Sequence, residues 1–140
     1  MFPDKVRVLI TEDDVDSRDM LCLLLREQNF EVIPADSAEE AIRIAGVEQF
    51  DAYLIDNRLS EMSGLELCKR IRQFDSHTPI VFYSGDSDQS HKDEAFLAGA
   101  QGYVVKPASC EDIVAAIIAA VEGGIQTGTC KGEVNSNGRP

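Results

Sequence analysis

The sequence predicts an α/β fold in which five parallel strands form an open sheet with helices on both faces. Five short apolar runs alternate with five segments of helical periodicity, a pattern typical of parallel sheets with right-handed crossovers. Four of the runs are apolar on both sides of the pleat, as expected for strands covered on both faces. The 140 residues suffice for one domain, and five strand–helix units are too few for an eight-stranded barrel.

The predicted strands follow these apolar runs. The second run is the least apolar, because it begins with Glu31 and contains Pro34, which has no backbone N–H to donate. A proline is tolerated on an edge strand, so we place this strand at an edge of the sheet. The predicted strands cover residues 6–10, 31–35, 52–55, 80–84 and 102–105.

Serine caps mark three of the predicted helices. Ser37, Ser63 and Ser109 each precede a helical pattern and have an acidic residue three positions later, which is the arrangement of a capping box. The third helix is expected to bury a stripe that includes Phe74, and Gly99 is expected to end the fourth helix. The predicted helices cover residues 15–28, 38–48, 64–74, 89–98 and 110–122.

The end of the chain differs in composition from the rest. Residues 123–140 hold five of the ten glycines, and no apolar periodicity continues beyond Ile125. We interpret residues 1–122 as one domain and residues 123–140 as a flexible tail that is too short for an output domain. Two interpretations stay open: Met1 next to the domain suggests a natural start, whereas the glycine-rich tail is also suited to begin a linker.

The charge of the chain excludes several classes of function. Lys and Arg number 13 against 25 Asp and Glu, which gives a net charge of −12. We therefore expect no direct nucleic-acid binding and no attraction to an anionic membrane, since both need a basic surface. No apolar run reaches the length of a transmembrane helix, and the start of the chain lacks the features of a signal peptide.

The cysteines and histidines form no recognisable metal motif. No two cysteines form a CxxC pair, and His77 and His91 are interpreted as isolated residues. We interpret three cysteines as small apolar residues on helices and the last as a thiol of the tail, which fits a reducing cytoplasm. The four cysteines are Cys22, Cys68, Cys110 and Cys130.

Polar residues follow four of the five predicted strands at the point where each strand ends. In an open parallel sheet, ligands bind beyond the carboxyl ends of the strands, so these side chains are expected to converge. Each residue alone also fits a helix cap, a turn or a solvated surface position. The expectation of a site depends on the whole set, which consists of Glu12, Asp13, Asp14, Asp56, Ser84 and Lys106.

This set of groups suits phosphoryl chemistry. Clustered carboxylates repel each other unless a cation lies among them, and Mg²⁺ prefers oxygen ligands of this kind. One carboxylate can attack phosphorus to form an acyl phosphate. Lys106 and the hydroxyl of Ser84 are then available to contact the phosphoryl oxygens.

Four segments resemble the receiver domain of two-component response regulators, including the single-domain chemotaxis type. The segments are VLITEDD, FDAYLIDNRLSEMSGLELCKRIR, PIVFYSG and GAQGYVVKP, and the resemblance covers about residues 5–122. It implies a flavodoxin-like, three-layer fold with strand order 2-1-3-4-5 and five flanking helices. It also implies a phosphorylation-dependent signalling switch with Mg²⁺ as its cofactor, which catalyses only its own phosphotransfer and dephosphorylation.

The resemblance assigns a role to each matching residue. Asp56 is similar to the phosphoacceptor, with Asp13 as a direct metal ligand and Glu12 acting mostly through water. The backbone carbonyl of Arg58 corresponds to the third protein ligand of the metal. Lys106 corresponds to the family's lysine, and Pro107 follows it in what is often a cis peptide. Ser84 and Tyr103 correspond to the switch pair, in which the aromatic ring turns inward when the hydroxyl moves.

The resemblance also implies partners. A sensor histidine kinase or a histidine phosphotransfer protein would donate the phosphoryl group, docking near the first helix and Asp56. A downstream protein would bind the face formed by the fourth helix, the fifth strand and the fifth helix. Many receivers also dimerise through this face, but nothing in the sequence requires a homodimer.

Two positions depart from the family pattern, and two others suggest a tuning role. Ser60 stands where the family usually has proline, which predicts a looser loop, and Ala108 stands where phenylalanine is common. Arg58 and Asp86 are expected to flank the mouth of the site. We hypothesise that they pair and obstruct the attacking water, the alternative being two independently solvated charges.

Three alternative functions make different demands on the sequence. A phosphatase of the haloacid-dehalogenase type would need a second aspartate at the position of Arg58, and it usually carries a cap domain for which the chain has no room. A receiver fold that binds partners without phosphorylation would not need the complete set of site residues. The chain also fits a receiver domain cut from a larger hybrid kinase or transcription regulator.

Overall fold

Five parallel strands form the central sheet of the computed structural model, which describes residues 5–123. The strand order is β2-β1-β3-β4-β5, so the predicted fold and strand order are confirmed. β2, which contains Pro34, lies at an edge as predicted. β1 is shifted one residue from its prediction, because the polar Thr11 continues the ladder opposite Ala35 and Ile55. The strands are β1 (Arg7–Thr11), β2 (Glu31–Ala35), β3 (Ala52–Ile55), β4 (Ile80–Ser84) and β5 (Gly102–Val105).

Five helices connect and follow the strands. Their starts agree with the sequence prediction, whereas the ends of four helices differ by one or two residues. The three predicted serine caps are confirmed, since Ser37, Ser63 and Ser109 each accept a hydrogen bond from a backbone N–H three residues later. Gly99 ends the fourth helix with a left-handed φ of 118°. The helices are α1 (Val15–Glu27), α2 (Ala38–Val47), α3 (Gly64–Arg72), α4 (Gln89–Ala98) and α5 (Cys110–Gly123).

The end of α3 corrects one prediction. The sequence pattern predicts Phe74 on the buried stripe of this helix, but the residue is 49% exposed. The helix ends at Arg72, and the amide of Phe74 bonds to the carbonyl of Ile71 in a tighter turn. This turn rotates Phe74 away from the direction that helical spacing would give it.

The sheet buries side chains on both of its faces. Alternate residues of β1, β3 and β4 contact α2, α3 and α4 on one face and α1 and α5 on the other. Leu9, Tyr53 and Phe82 belong to the first layer, and Ile10 and Leu54 belong to the second. This double packing fixes each strand from both faces, so the residues just beyond the strand ends are held in place.

Polar side chains join the loops at the amino ends of the strands. The Tyr53 hydroxyl donates to a carboxylate oxygen of Asp75 over 2.7 Å. The Arg72 guanidinium donates to the carbonyl of Gly99 at 2.8 Å and to the side-chain oxygen of Gln101 at 2.9 Å. These bonds connect the end of α3 with the turn between α4 and β5.

Some sequence predictions fall at the limits of the described chain. Cys22, Cys68 and Cys110 are free thiols on helices, and the first two are buried. Cys130 and residues 124–140 of the predicted tail lie outside the described residues, whereas Gly123 is the last residue of α5. Among residues 5–123, no helix combines the length and apolar character needed to cross a bilayer.

Candidate functional site

Three carboxylates meet at the carboxyl ends of β1 and β3. Glu12 and Asp13 follow β1, Asp56 follows β3, and one carboxylate oxygen from each lies within 4.8 Å of the others. The two strands are direct neighbours, and the amide of Asp56 donates to the carbonyl of Thr11 over 3.1 Å. The strand pairing itself therefore brings the three acidic side chains together.

Glu12 is the most buried member of this cluster, at 2% exposure. Burial raises the pKa of its carboxyl group, and the nearby charge of Asp56 raises it further. The backbone N–H of Asp14, at 3.2 Å, and the ammonium group of Lys106 partly oppose this rise. The surroundings of Glu12 thus resist its negative charge, which a further cation would stabilise.

Lys106 supplies a positive charge to the cluster. It follows β5, and its Nζ lies 3.5 Å from a carboxylate oxygen of Glu12 and 3.7 Å from one of Asp56. The ammonium group also lies 4.8 Å from the ring centre of Tyr83. The Lys106–Pro107 peptide bond is cis, as the resemblance implied.

The loop after Asp56 folds back tightly over the site. The amide of Arg58 donates to Oδ1 of Asp56 at 3.3 Å, and Arg58 forms an isolated bridge with Ser63. The start of α3 then passes so close that a Cβ on Gly64 would lie 2.5 Å from the carbonyl oxygen of Asp56. The backbone of Arg58 thus lies beside Asp56, while the metal-ligand role of its carbonyl stays a prediction.

Ser84 and Tyr103 both contact the loop between β4 and α4. The Ser84 hydroxyl is buried and accepts a hydrogen bond from the amide of Asp86 at 3.1 Å. The ring of Tyr103 stacks on Phe82 with centroids 5.7 Å apart, and its hydroxyl donates to the Asp86 carbonyl at 2.8 Å. Both predicted switch residues are therefore hydrogen-bonded to one residue of the same loop.

The hypothesised pair between Arg58 and Asp86 is wrong for this structure. Asp86 instead contacts His91, with 2.5 Å between Oδ2 and Nδ1, and no ion pair of Arg58 occurs among residues 5–123. The loop directs the Asp86 carboxylate toward the first turn of α4, where His91 lies. His91, which the sequence analysis treated as isolated, therefore has an acidic partner. The only sequence signal was an aspartate just before a helix that carries a histidine in its first turn.

Ser60 is a second residue whose contact the sequence analysis missed. Its hydroxyl donates to Oδ2 of Asp13 over 2.7 Å. Its departure from the family pattern was visible in the sequence, but its bonding partner lies 47 positions away. The loop that was expected to be looser is thus attached to the acidic cluster by this side chain.

The donor set fits a small divalent cation. Three carboxylates provide hard oxygen ligands within 4.8 Å of one another, and Lys106 alone does not balance three negative charges. Mg²⁺ is commonly bound by one or two carboxylates together with water and phosphate oxygens. The arrangement is therefore chemically suited to Mg²⁺.

Comparison with known families identifies the class of protein. A family model described as "Response regulator receiver domain" matches residues 8–118, which is most of the chain. The chain therefore belongs to the response regulator receiver domain family. This membership confirms the resemblance and decides against the phosphatase alternative.

Known relatives share the domain but are longer. The chain is 33% identical over 116 residues to the cell cycle transcriptional regulator CtrA of Caulobacter vibrioides, covering 83% of this chain and 50% of that protein. It is 27% identical over 124 residues to the transcriptional regulatory protein ResD of Bacillus subtilis, covering 89% and 51% respectively. The chain thus spans about half the length of the curated relatives it matches.

Solved structures of similar length agree with the fold. A CheY-like receiver domain protein from Methanospirillum hungatei JF-1 superposes with a TM-score of 0.81 at 25% identity, covering 86% of this chain and 96% of that one. The chemotaxis protein CheY4 of Vibrio cholerae superposes with a TM-score of 0.75 at 28% identity, covering 81% and 97%.

Proposed function

We propose that this receiver domain is a phosphorylation-dependent switch that accepts a phosphoryl group on Asp56. The observation that carries the proposal is the convergence of Glu12, Asp13 and Asp56, with the amine of Lys106 beside two of these carboxylates. The side chain of Asp56 retains 11% exposure, so it is not sealed off from solvent. A donor can therefore approach a carboxylate that the fold holds beside other charged groups.

The donor in this proposal is a phosphohistidine on a sensor histidine kinase or a phosphotransfer protein. An oxygen of Asp56 forms a bond to phosphorus while the P–N bond of the donor breaks, and the leaving imidazole keeps the bonding electrons and takes up a proton. Glu12, Asp13 and Asp56 would hold Mg²⁺ together with the Arg58 carbonyl, and the ion would neutralise phosphoryl charge. Lys106 is placed to contact a phosphoryl oxygen, since its amine lies 3.7 Å from Asp56.

Phosphorylation would then alter the loop between β4 and α4. The phosphoryl group adds negative charge and acceptor oxygens to which the Ser84 hydroxyl can donate, and turning toward them would draw its oxygen away from the Asp86 amide that now donates to it. A shift of this loop would also move the Asp86 carbonyl, which accepts the hydrogen bond from the Tyr103 hydroxyl. We propose that the face formed by α4, β5 and α5 changes as a result and that a downstream protein binds it.

We propose further that the domain acts in the cytoplasm and catalyses only its own phosphotransfer and dephosphorylation. The donor is expected to dock near α1, and a homodimer through α4 and α5 is compatible with the fold. The net charge of −12 still argues against direct nucleic-acid binding by this domain.

A second candidate is a receiver domain that forms part of a longer regulator. It is favoured by the comparison with CtrA and ResD, of which this chain covers 50% and 51%. The phosphoacceptor chemistry would be the same in both cases. A receiver that binds partners without phosphorylation is a third candidate, and the following experiment tests it.

Intact mass spectrometry after incubation with acetyl phosphate and Mg²⁺ tests the proposal. We expect one added phosphoryl group in the wild type, and none when Mg²⁺ is chelated or when Asp56→Asn is used. Asp19→Asn removes an exposed carboxylate on α1 and should leave the modification unchanged. Addition that persists in Asp56→Asn would contradict the assigned acceptor. No addition to the folded wild type with either acetyl phosphate or a phosphohistidine donor would favour the phosphorylation-independent module.

A further inference from the structure

A hydrogen bond crosses the mouth of the acidic cluster from one loop to another. Ser60, in the loop between β3 and α3, donates its hydroxyl proton to Oδ2 of Asp13 at 2.7 Å. Asp13 lies in the loop that follows β1. The bond therefore joins the loop that follows Asp56 to the loop that carries the acidic pair.

The position of Ser60 is fixed by further contacts of its own loop. The Glu61 carboxylate accepts a hydrogen bond from the amide of Ala38, the first residue of α2, at 3.2 Å. The amide of Gly64 donates to the carbonyl of Asn57 at 2.8 Å. These bonds hold the loop that contains Ser60, so the backbone places the Ser60 side chain within reach of Asp13.

Asp13 depends on this contact more than the other two carboxylates do. Lys106 lies within ion-pair distance of Glu12 and Asp56. Within the described part of the chain, the side-chain hydrogen bond of the Asp13 carboxylate comes from Ser60. The orientation of the Asp13 carboxylate is therefore coupled to the β3–α3 loop through one hydroxyl group.

We propose that Ser60 is a positioning residue that orients Asp13 for Mg²⁺ and so sets the affinity of the site for the ion. The inference rests on the proposed function, in which Asp13 is a direct ligand. A carboxylate has about four lone-pair positions, so a bond from Ser60 leaves others for the metal. Hydrogen bonds to metal-ligating groups fix their orientation, and their loss typically weakens binding by about 10- to 100-fold. Ser60 is exposed to solvent, so water can partly replace it and the effect should lie at or below the lower end of that range.

Isothermal titration with Mg²⁺ alone tests the inference. We expect Ser60→Ala to weaken Mg²⁺ binding by roughly threefold to tenfold. Ser60→Thr keeps the hydroxyl and should restore an affinity close to that of the wild type. Ser76→Ala is a matched control, because it removes an exposed loop serine near the opposite ends of the strands and should leave the affinity unchanged. Thermal unfolding without Mg²⁺ should be nearly the same for all four proteins, since both serines are exposed.

The outcomes separate this inference from the proposed function. Wild-type affinity in Ser60→Ala would overturn the positioning role while leaving the Mg²⁺ site intact. Tighter binding in that variant would also overturn it, because Ser60 would then compete with the ion for Asp13. Weak binding in Ser60→Thr, equal to that in Ser60→Ala, would show that the hydroxyl is not responsible. Absence of Mg²⁺ binding by the wild type would overturn both the positioning role and the proposed function.

Discussion

The carboxylates at the two ends of the sheet have opposite surroundings. At the amino ends of the strands, one oxygen of Asp75 accepts the Tyr53 hydroxyl and the other accepts the amides of His77 and Thr78. At the carboxyl ends, Glu12, Asp13 and Asp56 cluster with one amine, that of Lys106, whose Nζ lies 3.5 Å from Glu12 and 3.7 Å from Asp56. At the amino ends, groups of the chain itself donate hydrogen bonds to both oxygens of Asp75. At the carboxyl ends, the acidic cluster retains negative charge that a cation could neutralise.

The pKa values of Asp75 and Glu12 shift in opposite directions, in line with this contrast. Burial works to raise the pKa of Asp75, but hydrogen bonds from Thr78, Tyr53 and His77 outweigh it and lower that pKa to about 2. Burial raises the pKa of Glu12, and there the nearby Asp56 adds to the rise. The charge of Asp75 at the amino ends of the strands is thus stabilised, whereas that of Glu12 at the carboxyl ends is destabilised. Carboxyl groups whose pKa is raised by burial and by a neighbouring negative charge, as that of Glu12 is, are characteristic of binding and catalytic sites.

The largest effect should come from breaking the amino-end network at Arg72. Its guanidinium donates to the carbonyls of Gly99 and Asp75 and to the side chain of Gln101. Arg72→Ala removes the donor to the carbonyls of Gly99 and Asp75 and should lower the free energy of unfolding by about 2–4 kcal/mol, as measured by urea denaturation. Phosphorylation of the folded variant by acetyl phosphate should proceed at the wild-type rate.

Arg70 is the matched control for this change. It lies on the same helix and forms an exposed ion pair with Glu66 four residues earlier. Arg70→Ala should cost only about 0.5 kcal/mol, because such pairs contribute little in water. Equal losses in the two variants would show that charge on α3, and not the amino-end network, stabilises the fold.

A smaller loss of stability is expected where the chain is packed tightly at the carboxyl end. The Cβ of Gly64→Ala would meet the Asp56 carbonyl at 2.5 Å and Cα of Asn57 at 2.8 Å. Both are backbone atoms, so the loop must shift, and we expect a loss of about 1–3 kcal/mol. Because Asp56 itself moves, the rate of phosphorylation should fall as well.

Gly46 provides the control for this glycine substitution. It lies in α2, where a new Cβ would meet nothing within 4 Å. Gly46→Ala should raise the free energy of unfolding by roughly 0.5–1 kcal/mol, because alanine favours the helix more than glycine does. A tolerated Gly64→Ala with an unchanged phosphorylation rate would show that the approach of α3 does not constrain the site.

The smallest effect concerns the ion pair beside the switch residues. The hydrogen bond and charge of Asp86 raise the pKa of His91 above its ordinary value of 6.5. A raised pKa means that the protonated histidine favours the folded state below pH 6.5, and this contribution is lost as the pH rises through the folded-state pKa. In an NMR titration, Asp86→Asn should lower the pKa of His91, whereas Asp93→Asn should change it less. An unchanged pKa in Asp86→Asn would show that the pair does not persist in solution.

The sequence predicted the parts of the molecule that depend on strand order and local patterning. Alternating strands and helices defined the fold, and the rule that sites lie beyond the carboxyl ends of strands placed Asp56 near Glu12 and Asp13. Serine caps were equally predictable, because Ser37 and Ser63 bond to amides only three residues away. In each of these cases the relevant contact follows from the backbone of a regular element.

Contacts made through loops were not predictable in this way. The contacts between Ser60 and Asp13 and between Asp86 and His91 depend on the exact course of irregular backbone. The spacing of residues along the sequence does not predict that course. The predicted burial of Phe74 was wrong for a related reason, since helical spacing ceases to apply once α3 ends at Arg72. The amino-end network was also missed, because its polar groups come from turns that periodicity does not describe.

The contrast between the two ends of the sheet implies that a cation binds the acidic cluster at the carboxyl ends and neutralises its charge. Urea denaturation of the wild type and of Asp13→Asn, each with and without excess Mg²⁺, measures this directly. An ion that binds only the folded state stabilises it by about 2.7 kcal/mol when present at a hundred times its dissociation constant. We predict a Mg²⁺-dependent increase of this kind in the wild type and little or none in Asp13→Asn. A wild-type transition that Mg²⁺ does not move, or one that moves equally in Asp13→Asn, would contradict the account.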